Sequence, residues 1–152
     1  MVSGFAIIDL DEIAKRTQND VRLQQALQQR EAALNQELGN MRAQFQRQVQ
    51  LKQQEIGAEP TQQQQQELAN MVNQLNVQIN RAQSTAQQTL TNDQVNLIQS
   101  FRNGVRPIAV KVALERNFKI ILTKNEAVLF AYDDAYDITE EVIKRMATPM
   151  VP

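Results

Sequence analysis

The carboxylates of this 152-residue sequence fall into two groups whose spacing suggests chemistry. Asp9, Asp11 and Glu12 could form a carboxylate pair for acid–base work, and Asp133, Asp134, Asp137, Glu140 and Glu141 could gather a cation such as calcium. Neither group has the company its chemistry needs. The chain contains no His and no Cys, which removes soft-metal sites, thiol chemistry and His-based acid–base catalysis. The second group lacks the glycine and the ligand spacing of an EF-hand loop. No Gly-rich phosphate loop, nucleophile elbow or kinase motif occurs. Carboxylates three residues apart, Asp9 with Glu12 and Asp137 with Glu140, match the helix capping box instead. Nothing here argues for an enzyme, and no cofactor or metal is implied.

The elements that would carry these caps are legible from periodicity. Gly4 to Leu10 reads as a short strand, followed by a helix that begins at Leu10 or Asp11 and breaks within Thr17–Asp20. From about Thr17 to Arg116 the sequence predicts two helices folded back on each other. Gly57-Ala58-Glu59-Pro60-Thr61 is the tip, since Gly57 can end a helix and Pro60 fits only the first turn of the next. Apolar residues recur at spacings of three and four on both sides of it, as Leu34, Leu38, Met41, Phe45 and Val49, then as Leu68, Val72, Leu75, Ile79 and Ala82. That is a coiled-coil seam. Folding about residues 59–60 sets Phe45 opposite Leu75, Leu38 opposite Ala82 and Leu34 opposite Ala86. About 40 residues at 1.5 Å each make an arm of roughly 60 Å. Gly39 weakens the first helix by up to about 1 kcal/mol relative to Ala. The run Gln62–Gln66 is read as helix, because the seam continues from Leu68. The apolar phase slips after Ala86 and resumes as Ile98, Phe101, Val105, Ile108 and Val112, with Gly104 and Pro107 expected to form a kink or hinge.

Beyond the arm, Phe118–Leu122 and Ala127–Tyr132 are expected to pair as a β-hairpin around a turn at Thr123–Glu126. A short amphipathic helix follows over Ile138–Met146, and residues 148–152 are expected to fray. The strands are apolar on both faces. Ile120 and Leu122 share one side and Val128 and Phe130 another, while Ile7 and Ile8 sit in the first strand. A strand apolar on both faces requires cover on both faces. Three short strands and one short helix cannot supply it, so these six residues are expected to form a core shared between copies of the chain. The fold class is therefore α+β: a long antiparallel helical hairpin projecting from a small β head that oligomerises. The head comprises residues 1–16 and 107–152, and the arm residues 17–106.

Composition limits the partners. Net charge is −1, with 16 Lys and Arg against 17 Asp and Glu, giving no reason to expect nucleic acid. Residues 17–116 hold ten cations and eight carboxylates, so the arm is nearly neutral and its polar face is mostly Gln. No stretch is long enough to span a bilayer. The first residues do not read as a signal peptide, which suits either a cytosolic protein or one whose leader has been removed. Leu51, Met71 and Val77 lie off the seam towards the tip. Exposed apolar groups on a neutral surface suit weak contact with unfolded chains, and these three are the candidate client-binding residues.

Two stretches carry a family resemblance. FAIIDLDEI at Phe5–Ile13 and RPIAVKVALERNFKIILTKNEAVLFAYDDAYDITEEVIKRM at Arg106–Met146 resemble the Skp (OmpH-like) periplasmic chaperone family. Ile8 to Leu10 in that first stretch falls in the family's I-x-D-L strand, and the Val128–Arg145 ending contains Asp137-Ile138-Thr139. The resemblance implies a homotrimer with a β-barrel head and three tentacle-like arms around a cavity. It implies an ATP-independent holdase that carries unfolded outer-membrane proteins through the periplasm, made with a leader that is later removed. The best-known members have strongly basic arms. The nearly neutral arm here argues against gripping anionic lipid or lipopolysaccharide. Two other classes fit the same elements: a structural coiled-coil spacer or tether, and a cytosolic prefoldin-like chaperone.

Overall fold

A computed structural model describes residues 4–147. The chain runs β1 (Gly4–Ile8), α1 (Leu10–Arg16), α2 (Asn19–Ile56), α3 (Gln62–Glu115), β2 (Phe118–Thr123) and α4 (Thr139–Ala147), with a 3-10 turn at Asp134–Tyr136. Each boundary has a chemical cause. Asp9 is extended and its carboxylate accepts the Glu12 N–H at 3.0 Å, capping α1. Gln18, at φ 57°, takes the left-handed conformation that stops α1. Gly57, at φ 78°, stops α2 at no steric cost. Thr61 then opens α3 with a reciprocal box: its hydroxyl accepts the Gln64 N–H at 3.3 Å, and its N–H donates to the Gln64 side-chain carbonyl at 2.9 Å. Asn117, at φ 63°, turns the chain out of α3 into β2. Asp137 accepts the Thr139 N–H at 2.9 Å where α4 begins. The expected fraying of residues 148–152 lies outside the described residues.

The chain divides into two compact units. One contains the described residues up to Gln25 and from Gln94 onward, and the other is Ala26–Asp93. In the first unit β1 and β2 pair in parallel, Phe5 with Ile120 through Ile8 with Thr123, with a register irregularity between Gly4 and Phe5. Parallel strands need a long crossover, and α1 to α3 supply it. The segment before α4 also closes on β1, where the Ile138 N–H donates to the Ile7 carbonyl at 3.0 Å. The Asp9 N–H donates to Thr139 Oγ1 at 2.9 Å, so the cap of α1 holds the start of α4. Ala6, Ile8 and Ile13 meet Val105, Val112 and Ile138 in one core. In the second unit α2 and α3 fold back on each other. Leu75 and Ala86 are buried and the other seam residues half-buried, with the opposite face solvated.

Three expectations need correction. The β-hairpin does not form: Val128 and Leu129 N–H groups both donate to the Asn125 carbonyl, at 2.9 and 2.8 Å, and residues 128–132 make no strand. Asn125 also accepts the Ala127 N–H on its side chain at 2.9 Å. This local turn competes with a ladder, and β2 already pairs with β1. Ile98 is exposed, whereas Leu97 is half-buried. The inward phase therefore enters at Leu97 rather than Ile98 and then runs Phe101, Val105, Ile108 and Val112 as expected. The first strand ends at Ile8, because Asp9 turns into the helix. Gly104 and Pro107 lie within continuous α3, and Val105 between them is buried.

Candidate assembly face and arm surface

The two carboxylate groups resolve into structural roles. Asp133 accepts the Ala135 N–H at 2.9 Å, and Asp137 caps α4. Glu140 pairs with Arg16 across to α1, Glu141 with Arg116 at 2.9 Å, and Glu115 with Arg145. These pairs fasten α4 to α1 and α3. Hydrogen bonds from Arg16 and Arg145 outweigh slight desolvation and hold the Glu140 and Glu115 carboxyls below the usual range. Partial burial pushes Asp9 up. The Glu12 N–H and the Lys124 ammonium, 3.4 Å away, win and leave its pKa lowered. Lys124 is raised by Tyr132, whose ring it faces at 5.9 Å, and by Asp9. Among the described residues no group of carboxylates is placed to hold a metal ion.

The six residues expected to form a shared core separate into two sets. Ile7 and Ile8 are buried within the single chain. Ile120 is 57% exposed, Val128 77%, Phe130 fully, and Leu122 just over a third. The cause lies in the sheet. Helices α1, α3 and α4 cover one face, where Ala6, Ile8 and Phe118 point and Ile121 packs against them. On the other, Tyr136 stacks on Phe5 at 5.7 Å but leaves that ring exposed. Val110 and Leu114, exposed on α3 in the same unit, were not singled out by sequence reasoning. Their signal was available: both follow the buried Ala109 and Ala113 by one residue, so α3 is apolar beyond a single stripe.

On the arm, Leu51 is 65% exposed and Val77 is exposed, while Met71 is half-buried. Phe45 and Leu75 line one groove between α2 and α3, and Leu38 and Ala82 line another. This register puts Leu51 within one helical turn of Met71 along the hairpin, with Val77 further from the tip. The periodicity argument passed over the amides flanking the first groove. Gln46, Gln50, Gln53 and Asn76 sit at helical spacing beside the seam, which is the signal that could have marked them. No helix among the described residues is long and apolar enough to cross a membrane.

A family model described as outer membrane protein (OmpH-like) matches residues 4–146, and so spans both units. No curated protein matches the chain.

Proposed function

The chain belongs to the outer membrane protein (OmpH-like) family, a family of periplasmic chaperones rather than enzymes, and from that premise we propose that it is an ATP-independent holdase for unfolded outer-membrane proteins. In this reading three copies join their heads into a shared β-barrel core and their arms enclose a cavity in the periplasm. Clients are held there by apolar contacts, among them Leu51, Met71 and Val77, with no nucleic acid or cofactor involved. Ile120, Leu122, Val128 and Phe130 build the common core, Ile7 and Ile8 belong to each copy's own interior, and Gly104 with Pro107 lets the arm pivot.

One observation carries the reading. Ile120 and Leu122 on β2, and Val128 and Phe130 in the segment after it, are apolar and exposed in the single chain. Several large apolar side chains left exposed on one small unit suit an association surface.

The test is to dilute a urea-unfolded β-barrel outer-membrane protein into buffer with and without the chain. Light scattering should stay low in proportion to chaperone added, with no nucleotide present. A structural spacer would leave aggregation unchanged, and that outcome would overturn the reading.

A further inference from the structure

We infer that Asn103–Gly104 is a self-modification site, at which α3 converts its own asparagine to a mixture of aspartate and isoaspartate through a cyclic succinimide. Gly follows Asn at this one place in the chain. Both residues are exposed, and a Cβ placed on Gly104 would meet no atom within 4 Å. The ring can therefore form with no neighbour in its way.

The step balances with water alone. The Gly104 backbone nitrogen gives up its proton and attacks Cγ of the Asn103 side chain. A C–N bond forms, the bond from Cγ to the side-chain nitrogen breaks, and ammonia leaves. Water then opens the ring at one of its two carbonyls. Opening at Cγ gives aspartate, and opening at the main-chain carbonyl gives isoaspartate, whose chain runs on through Cβ. Nothing is oxidised or reduced, and the reaction needs no client and no partner chain.

A closed helix resists this. The Gly104 N–H is directed at the Ser100 carbonyl, and a helical side chain leans towards the N-terminus, away from the nitrogen that must attack it. Gln99 Nε2 donates to Asn103 Oδ1 at 3.1 Å along that lean. The turn must therefore open first, and the residues around it weaken it from two sides. Pro107, inside α3, has no N–H to give the Asn103 carbonyl. Gly104 is itself a poor helix former. Phe101 and Val105 pack in the core on either side, which limits the opening to this exposed turn. Arg102 precedes Asn103 and Arg106 follows three residues on, both exposed, and their charge favours the transient amide anion. Isoaspartate adds one atom to the main chain, which a helix does not accommodate, so the reaction leaves a lasting break in α3.

The test keeps the full chain warm at mildly alkaline pH. Conversion of each asparagine is followed by peptide mass mapping, and isoaspartate is read with an isoaspartyl methyltransferase. Asn103 should convert faster than every other asparagine, with isoaspartate the major product. Gly104→Ala places a methyl in open space, strengthens the helix and should slow conversion at least about tenfold. Pro107→Ala keeps the Asn–Gly pair and restores an N–H to the Asn103 carbonyl. It should slow conversion about fivefold, the net worth of one hydrogen bond. In urea, where no helix remains, the Pro107→Ala chain and the unaltered chain should convert alike. Circular dichroism checks that both variants fold. Conversion spread evenly over the asparagines, or an unchanged Asn103 in the folded chain while the urea-unfolded chain converts, would overturn the site. Equal rates for the folded Pro107→Ala and unaltered proteins would overturn the part given to the turn.

Discussion

Thr139 shows how one side chain joins distant parts of the sequence. Its hydroxyl is buried and accepts the Asp9 N–H, 130 residues away, while Asp137 accepts its own N–H. Thr139→Val keeps the shape and leaves the Asp9 N–H without its acceptor. The expected cost is about 1–2 kcal/mol, the penalty of an unsatisfied partly buried donor, read as a lower urea midpoint with unchanged slope. The Asp9–Glu12 cap was legible from sequence, but this partner was not, because nothing local links residue 9 to residue 139. The carboxylates also set a pH dependence. Asp9, Glu115 and Glu140 all have folded pKa values below their ordinary 3.8, 4.5 and 4.5. A depressed carboxyl contributes stability above its unfolded pKa and loses it as pH falls through the folded value. The melting temperature should therefore be flat from about pH 5 to 9, where no His titrates, and should decline below about pH 4.5. The decline should be modest, since these pairs are half-exposed and screened by solvent. A transition near pH 6.5 would contradict this account.

Among the elements, the two long helices were the most legible part of the chain. Their seam repeats over many turns, so Phe45–Leu75 and Leu38–Ala82 could be paired from spacing alone, and Gly57 and the run from Gln62 fell where expected. The short strands were less legible for a physical reason. Residues 127–132 are β-prone, but Asn125 organises a tight turn before them and no layer of the chain covers their outer side. Propensity states what a segment favours, and burial decides whether it gets it. The tip offers a test of local chemistry. Thr61 and Gln64 satisfy two donors at the start of α3, so Thr61→Ala should cost about 1 kcal/mol of local stability. Amide exchange should then quicken over residues 61–66 and stay unchanged in the buried core around Val112. A pivot at Gly104 and Pro107 is readable by the same method. Pro107 has no N–H to give the Asn103 carbonyl, and exchange over residues 100–106 should exceed that over 109–113. Uniformly slow exchange through 100–110 would remove the pivot.

At the scale of the whole molecule, charge is unevenly distributed, and that separates two ways of holding a client. The unit Ala26–Asp93 contains five Lys or Arg and six Asp or Glu, while the stretch 94–116 contains four cations and one carboxylate. If capture were mainly Coulombic, clients would gather at residues such as Arg102 and Arg106, and the affinity would weaken as salt shortened the screening length. That length falls from about 30 Å at 0.01 M salt to about 8 Å at 0.15 M. If capture depends on the apolar and amide surface of the unit Ala26–Asp93, salt should have little effect, because burial of apolar area is indifferent to ionic screening over this range. The second expectation follows from the composition of that unit. The dissociation constant for an unfolded outer-membrane protein should change by less than about threefold between 0.02 and 0.3 M NaCl, measured by fluorescence anisotropy. The assembled state must be monitored alongside, since a dissociated chain would lose binding for another reason. Phe130→Asp supplies that control. It places a charge on the uncovered head face, so native mass measurement should find smaller assemblies, and protection from aggregation should fall with them. A tenfold loss of client affinity over the same salt range, with assembly intact, would move the holding surface from the outer arm to the cationic stretch of α3.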